Sequence, residues 1–197
     1  MTTADARVTS RPADAPLGRD EVVAAVLSSA ADLFAERGPA ATSIRDIAAH
    51  SRVNHGLIHR HFGTKVQLVG AVLDYLGRHL ADLLAEGAEG SRVGTAVDRQ
   101  LRVIARVSLD GYQIGELQSR FPTMEILLEA VRSRHSTDLG ARLAAAHTIA
   151  LQLSWCLFGD FLRASTGLED LDDRTFARSI GATVAKILEE DASSGVN

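Results

Sequence analysis

Apolar residues recur every three or four positions along most of this chain. Val22, Val23, Val26, Leu27, Ala30, Leu33 and Phe34 keep helical register and predict a first helix over about 20–37. Asp20 and Glu21 suit the positive N-terminal end of that helix, and Gly38 followed by Pro39 stops it. Ile44, Ile47 and Ala48 then predict a short helix over about 43–50, with Thr42 as its N-cap. Asn54, a strong N-cap residue, predicts a second short helix ending near His61. On it Val53, Ile58 and Phe62 pack down, while His55, Gly56, Leu57, His59 and Arg60 face outward. Two short helices joined by a tight turn, the second polar on its outer side, match the form that enters a DNA major groove.

Thr64, three residues before Gln67, reads as a capping box opening a long helix to about Glu86. Leu68, Val69, Val72, Leu73, Leu76, Leu80 and Leu83 run along it. GAEGSR at 87–92 is the clearest break in the chain. A helix over about 93–109 follows, then a short irregular helix interrupted by Gly111 and Gly115, and another opened by Phe121 and Pro122. The helix predicted over about 136–165 contains HTIALQLSWCLFGDFL, which is apolar on nearly every side and predicts burial all round. A last helix over about 173–190 carries Phe176, Ile180, Val184 and Ile187. With no strand pattern and no repeat, the fold class is all-α, of about nine helices. The expected division is a disordered leader over 1–18, a helix-turn-helix domain over 19–66, a helical ligand-binding and dimerisation domain over 67–191 and a loose tail over 192–197.

Composition narrows the function. The 197 residues are 46% hydrophobic, 5% aromatic and include four prolines, as a helical globular protein requires. No apolar run is long enough to span a bilayer, and the N-terminus lacks a signal-peptide core, so the expected setting is cytoplasmic with no membrane partner. The one cysteine, Cys156, forms no internal disulfide and no metal cluster. The net charge of −4 disfavours DNA by bulk attraction, but the charge is unevenly spread. Between Thr42 and Lys65 the chain has Arg45, Arg52, Arg60 and Lys65 against Asp46 alone, with four of the seven histidines. So small a footprint needs a second copy for tight binding.

The runs LFAERG at 33–38, TSIRDIA at 42–48, VNHGLIHRHF at 53–62 and GTKVQL at 63–68 occur in an order and spacing that resembles the DNA-binding domain of the tetracycline-repressor (TetR) family. The resemblance covers about residues 22–75. Thr42 and Ser43 at one helix start, and Thr64 and Lys65 at another, are natural phosphate seats. Arg45 can fork onto guanine; His55 and His59, one turn apart, can donate or accept at base edges; Leu57 can meet a thymine methyl. Asn54, Gly56, Arg60 and His61 complete the candidate DNA face. The resemblance implies DNA contact at Arg45, His55, Gly56, Leu57, His59, His61 and Lys65. Two residues depart from the family pattern: Arg52 stands where the turn usually has glycine, and His59 where tyrosine is usual.

The resemblance also implies an effector pocket in the helical body and a two-fold dimer built from the last two long helices. Candidate pocket residues are Tyr112, Gln113, Phe121, Met124 and His147, with Gln152, Trp155, Cys156 and Phe158 on the long helix. Few charges among them point to an uncharged or hydrophobic effector. Leu153, Leu157, Phe161, Ile180, Val184 and Ile187 are the candidate dimer seam. The expected function is a ligand-responsive, non-enzymatic transcriptional regulator, a repressor acting as a homodimer on palindromic operator DNA, with no cofactor. Two alternatives are a helical adaptor that has lost DNA binding and a metal protein using His55 and His59 at i, i+4. The second lacks an accompanying Glu or Cys.

Overall fold

The computed structural model describes residues 18–189. Among them are nine helices, which we number in chain order: α1 (Arg19–Arg37), α2 (Ile44–Ser51), α3 (His55–Phe62), α4 (Lys65–Ala85), α5 (Gly90–Leu109), α6 (Ile114–Leu117), α7 (Pro122–Arg132), α8 (Asp138–Thr166) and α9 (Asp173–Glu189). No strand occurs among the described residues. Residues 1–17 of the expected leader, and the tail expected over 192–197, lie outside them.

The helix starts follow local chemistry. Ser43 and Asp46 cap α2 reciprocally: the Asp46 amide donates to Ser43 Oγ at 3.1 Å and the Ser43 amide to Asp46 Oδ2 at 2.8 Å. The cap is therefore Ser43, not Thr42 as the sequence suggested. Thr42 is 1% exposed and gives its hydroxyl to the Gly38 carbonyl at 2.8 Å, closing the turn after α1. Asn54 Oδ1 accepts from the Gly56 amide at 2.8 Å to start α3, and Thr64 with Gln67 forms the expected capping box of α4.

One core runs through α1 to α5. Val26, Phe34, Ile47, Ile58, Leu68, Val69, Val72, Val103 and Val107 are all buried in it. It therefore crosses from the two short helices α2 and α3 into the rest of the chain. α5 packs on α1, α4 and α8; α7 and α9 pack on α8. Two polar ties join α5 and its C-terminal cap to α1 and the turn after it. Arg99 donates to the Ser28 carbonyl at 2.7 Å and pairs with Asp32 at 2.7 Å. Asp110 accepts from the amide of Ala40, seventy residues earlier.

The second half of α8 departs from expectation. It is not buried all round: Leu157 is 37%, Phe158 56% and Phe161 67% exposed. Helices α5, α7 and α9 cover only part of its circumference. The uncovered positions Leu139, Leu143, Ala146, Ala150, Ser154, Leu157 and Phe161 fall in one stripe along the helix. No helix among the described residues is long and apolar enough to cross a membrane.

Candidate nucleic-acid interface

The turn between α2 and α3 is set by a single left-handed residue. Arg52 sits at φ 54°, and among the described residues it is the only non-glycine with positive φ. The conformation lets the amides of Arg52 and Val53 bond back to the carbonyls of Ala49 and Ala48. Glycine would adopt this conformation without steric cost; arginine does not. Its side chain is exposed, adding a cation at the turn.

Arg45 on α2 and His55, Gly56, His59 and Arg60 on α3 are all exposed, and Asn54 and Thr64 flank them. Leu57 is a correction. Expected to face outward, it is half-buried against the α1–α5 core, because α3 is only two turns long and needs Ile58, Leu57 and Phe62 to hold it. His61 is also half-buried, edge-on to Phe62. Ser43 is exposed but bound up in its cap, and Thr42 is sealed inside.

His55 and His59 pack edge to face with ring centres 4.7 Å apart. His59 Nδ1 lies 3.2 Å from the Gly63 carbonyl, so it carries the hydrogen. Nε2 is then the free nitrogen, an acceptor in the neutral ring and a donor in the charged one. Among the described residues no group of three His, Cys, Asp or Glu gathers for a metal. The lone acid of this stretch is neutralised: Asp46 pairs with Arg37 at 3.3 Å. Hydrogen bonds from the Ser43 backbone and side chain, with smaller help from Arg37 and Lys65, hold its carboxyl below the ordinary range. The outward face is thus cationic despite the acidic chain.

Beside α3, a hollow of about 390 Å³ is lined by Arg19, Arg60 and His61 over Val22 and Leu57. Arg19 was not grouped with α3 in the sequence, because forty residues separate them. Only the packing of α1 brings its N-terminal turn alongside α3.

The body contains a partly open chamber of about 250 Å³ between α4, α5, α6, α7 and α8. Of the candidate pocket residues, Phe121, Met124 and Gln152 line it. Trp155 and Cys156 instead face a separate groove of about 470 Å³ between α5, α8 and α9, where Trp155 stacks edge-on with Phe176. Four residues fall elsewhere. Tyr112 packs against the α1–α5 core, while Gln113, His147 and Phe158 are exposed. Most chamber walls are aliphatic, including Leu80, Leu101, Ile104 and Ile149, which periodicity alone cannot distinguish from ordinary core. Of the expected dimer seam, Leu157 and Phe161 are exposed, Leu153 and Ile187 half-buried, and Ile180 and Val184 line the groove.

Residues 26–72 match the family model described as "Bacterial regulatory proteins, tetR family". The chain is 57% identical over 186 residues to the HTH-type transcriptional repressor Rv3405c of Mycobacterium tuberculosis H37Rv, covering 92% of this chain and 99% of that protein. Two solved structures share the fold. A tetR-family transcriptional regulator from Streptomyces coelicolor superposes with TM-score 0.56 at 20% identity, over 91% of this chain and 93% of that one. A TetR-like regulator from Rhodococcus sp. RHA1 gives 0.54 at 20% identity, over 88% and 96%. With a family domain over α1 to α4 and near full-length kinship to an HTH-type regulator, this chain belongs to the tetR family of DNA-binding transcriptional regulators.

Proposed function

We propose that the protein is a repressor that binds a palindromic operator as a homodimer and releases it when an uncharged, apolar effector occupies the chamber. The carrying observation is the exposed cationic face of α2 and α3, whose one acid is spent on a helix cap and an ion pair. Arg45 and the free His59 Nε2 read base edges, with His55 beside them. Thr64 and Lys65 at the start of α4, and the Arg19–Arg60–His61 hollow, take phosphates. The relative named as a repressor supports the direction of control.

The chamber has no charged lining residue. Its Gln118 amide donates to Asp74 of α4 at 2.9 Å, and α5 forms another wall. An effector that fits only one arrangement of these walls would bias α4, which leads into the head, and α5, which is tied to it through Arg99 and Asp110. Residues 19–66 act in this reading as the DNA-binding head and 67–191 as the ligand-binding and dimerisation body.

The test is binding to DNA from the protein's own upstream region at two salt concentrations, beside an Arg45→Ala, His59→Ala double variant. Wild type binds specifically and more weakly at high salt, and the variant loses about tenfold or more, since one base contact contributes about 1–3 kcal/mol. Equal binding by the variant would remove Arg45 and His59 from the readout; no binding by either protein would remove the repressor reading.

A further inference from the structure

The chamber and the groove share three wall residues: Val97 and Leu101 of α5 and Gln152 of α8 line both. The chamber alone, at about 250 Å³, lies below the size usual for a small-molecule site, about 300–1,000 Å³; chamber and groove together lie within it. Gln152 is half-buried and, among the described residues, makes no hydrogen bond to protein, so its amide is free to swing from the junction. The two ends differ in chemistry. The chamber end is apolar, and its Gln100 and Gln118 amides already face Thr123 and Asp74. The groove end holds Asp98 and Arg102, paired at 2.8 Å and both about half exposed. Their charges cancel. The Cys156 thiol beside them is held above its ordinary pKa by burial and by Asp98, so it adds no anion.

We propose that the two spaces form one elongated site for an uncharged, straight-chain amphipath, its aliphatic tail in the chamber and a hydroxyl or carbonyl head beside Asp98 and Arg102. The inference rests on reading the chamber as the effector site and extends it to a ligand of defined shape. Arg102 can donate to the head oxygen and Asp98 can accept from a head hydroxyl.

The chain contains one tryptophan, Trp155, and it lines the groove, so its emission reports occupancy of that end alone. The experiment titrates the full chain with 1-alkanols from 1-hexanol to 1-dodecanol, by calorimetry and by Trp155 emission. Affinity should rise about fourfold per added methylene, at about 0.8 kcal/mol each, across the whole series, with the Trp155 change confined to the longer members. Two variants block the path at different points. Gln152→Phe fills the junction. Gly94→Leu narrows only the groove, at a helical position where an added Cβ meets nothing within 4 Å, and so does not threaten folding. In both, the rise should stop at the shorter alkanols and the Trp155 response should vanish.

A plateau at the shorter alkanols in wild type with silent Trp155, an unbroken rise in both variants, or no alkanol binding at all would overturn the elongated site. Operator release by 1-dodecanol is measured separately. Binding without release would leave the elongated site standing and remove the effector reading.

Discussion

At the residue scale, the α2–α3 turn carries a conformational cost at one named position. An L-residue in the left-handed region costs about 1–2 kcal/mol, against about 0.5–1 kcal/mol for the greater chain entropy glycine surrenders. Arg52 has φ 54°. Arg52→Gly is therefore expected to stabilise the protein by about 0.5–1 kcal/mol, seen as a higher urea midpoint with unchanged slope; an unchanged or lower midpoint would mean that the arginine's own contacts outweigh its strain. Asp46 gives a pH dependence whose sign follows from its lowered pKa. A carboxyl held low in the folded state stabilises at neutral pH, and that contribution fades as pH falls from its ordinary value, 3.8, through the folded one. Amide exchange at the start of α2, taken relative to the unprotected rate at each pH, should accelerate over that acid window in wild type. In Asp46→Ala it should be fast already at neutral pH, with no acid-dependent step from this group.

At the scale of elements, α5 is the strut of the molecule. One side lines the chamber through Gln100, Leu101 and Ile104; the other reaches α1 through Arg99 and the turn after α1 through Asp110. Arg99 is the stronger tie, since its guanidinium is largely covered and it bonds a backbone carbonyl as well as Asp32. Asp32 is half exposed, so solvent screens the ion pair and the hydrogen bonds to Ser28 dominate. Arg99→Ala is expected to lower stability by about 1–2 kcal/mol in chemical denaturation. It should also reduce the ability of any effector to release DNA, because one of the two ties of α5 to the α1 end is cut; unchanged release at full occupancy would leave the coupling to α4 and the Asp110 tie. The close seat of α6 on α4 depends on Gly70, where a Cβ would stand 3.2 Å from the Leu117 carbonyl oxygen.

At the scale of the whole molecule, the uncovered stripe of α8 is the surface we propose for the dimer. Leu157, Phe158 and Phe161 leave large apolar surface in solvent on a single chain, which a second copy of the family's usual kind would cover. Leu157→Glu combined with Phe161→Glu is expected to give a folded monomer by sedimentation, with operator affinity reduced by more than tenfold because two half-sites are no longer joined. A dimer that survived this double substitution would place the interface elsewhere, on α9 or the start of α8. The same stripe shows where reading the sequence failed. A run apolar on every side predicts burial on every side, but exposure of Phe158 and Phe161 depends on which neighbours reach them.

Helix existence was legible because each helix announces itself within a few residues: apolar spacing for its register, Asn54 and Thr64 for its start, Gly38 for its end; the start of α2 falls one residue later than expected, at Ser43 rather than Thr42. The sequence by itself also determined the cationic bias of 42–65, since that follows from which residues are present, and the exposure of His55 and His59, since α3 must bury Ile58. Tertiary structure decided everything that depends on two distant segments meeting. It brought Arg19 to Arg60 and His61, turned Thr42 inward, and made chamber walls of aliphatic residues that read as core. Local hydrogen bonds and periodicity act over one helical turn and are written in adjacent residues. Cavities and covered faces arise where helices fail to meet completely, and that is a property of packing which neighbouring residues do not encode.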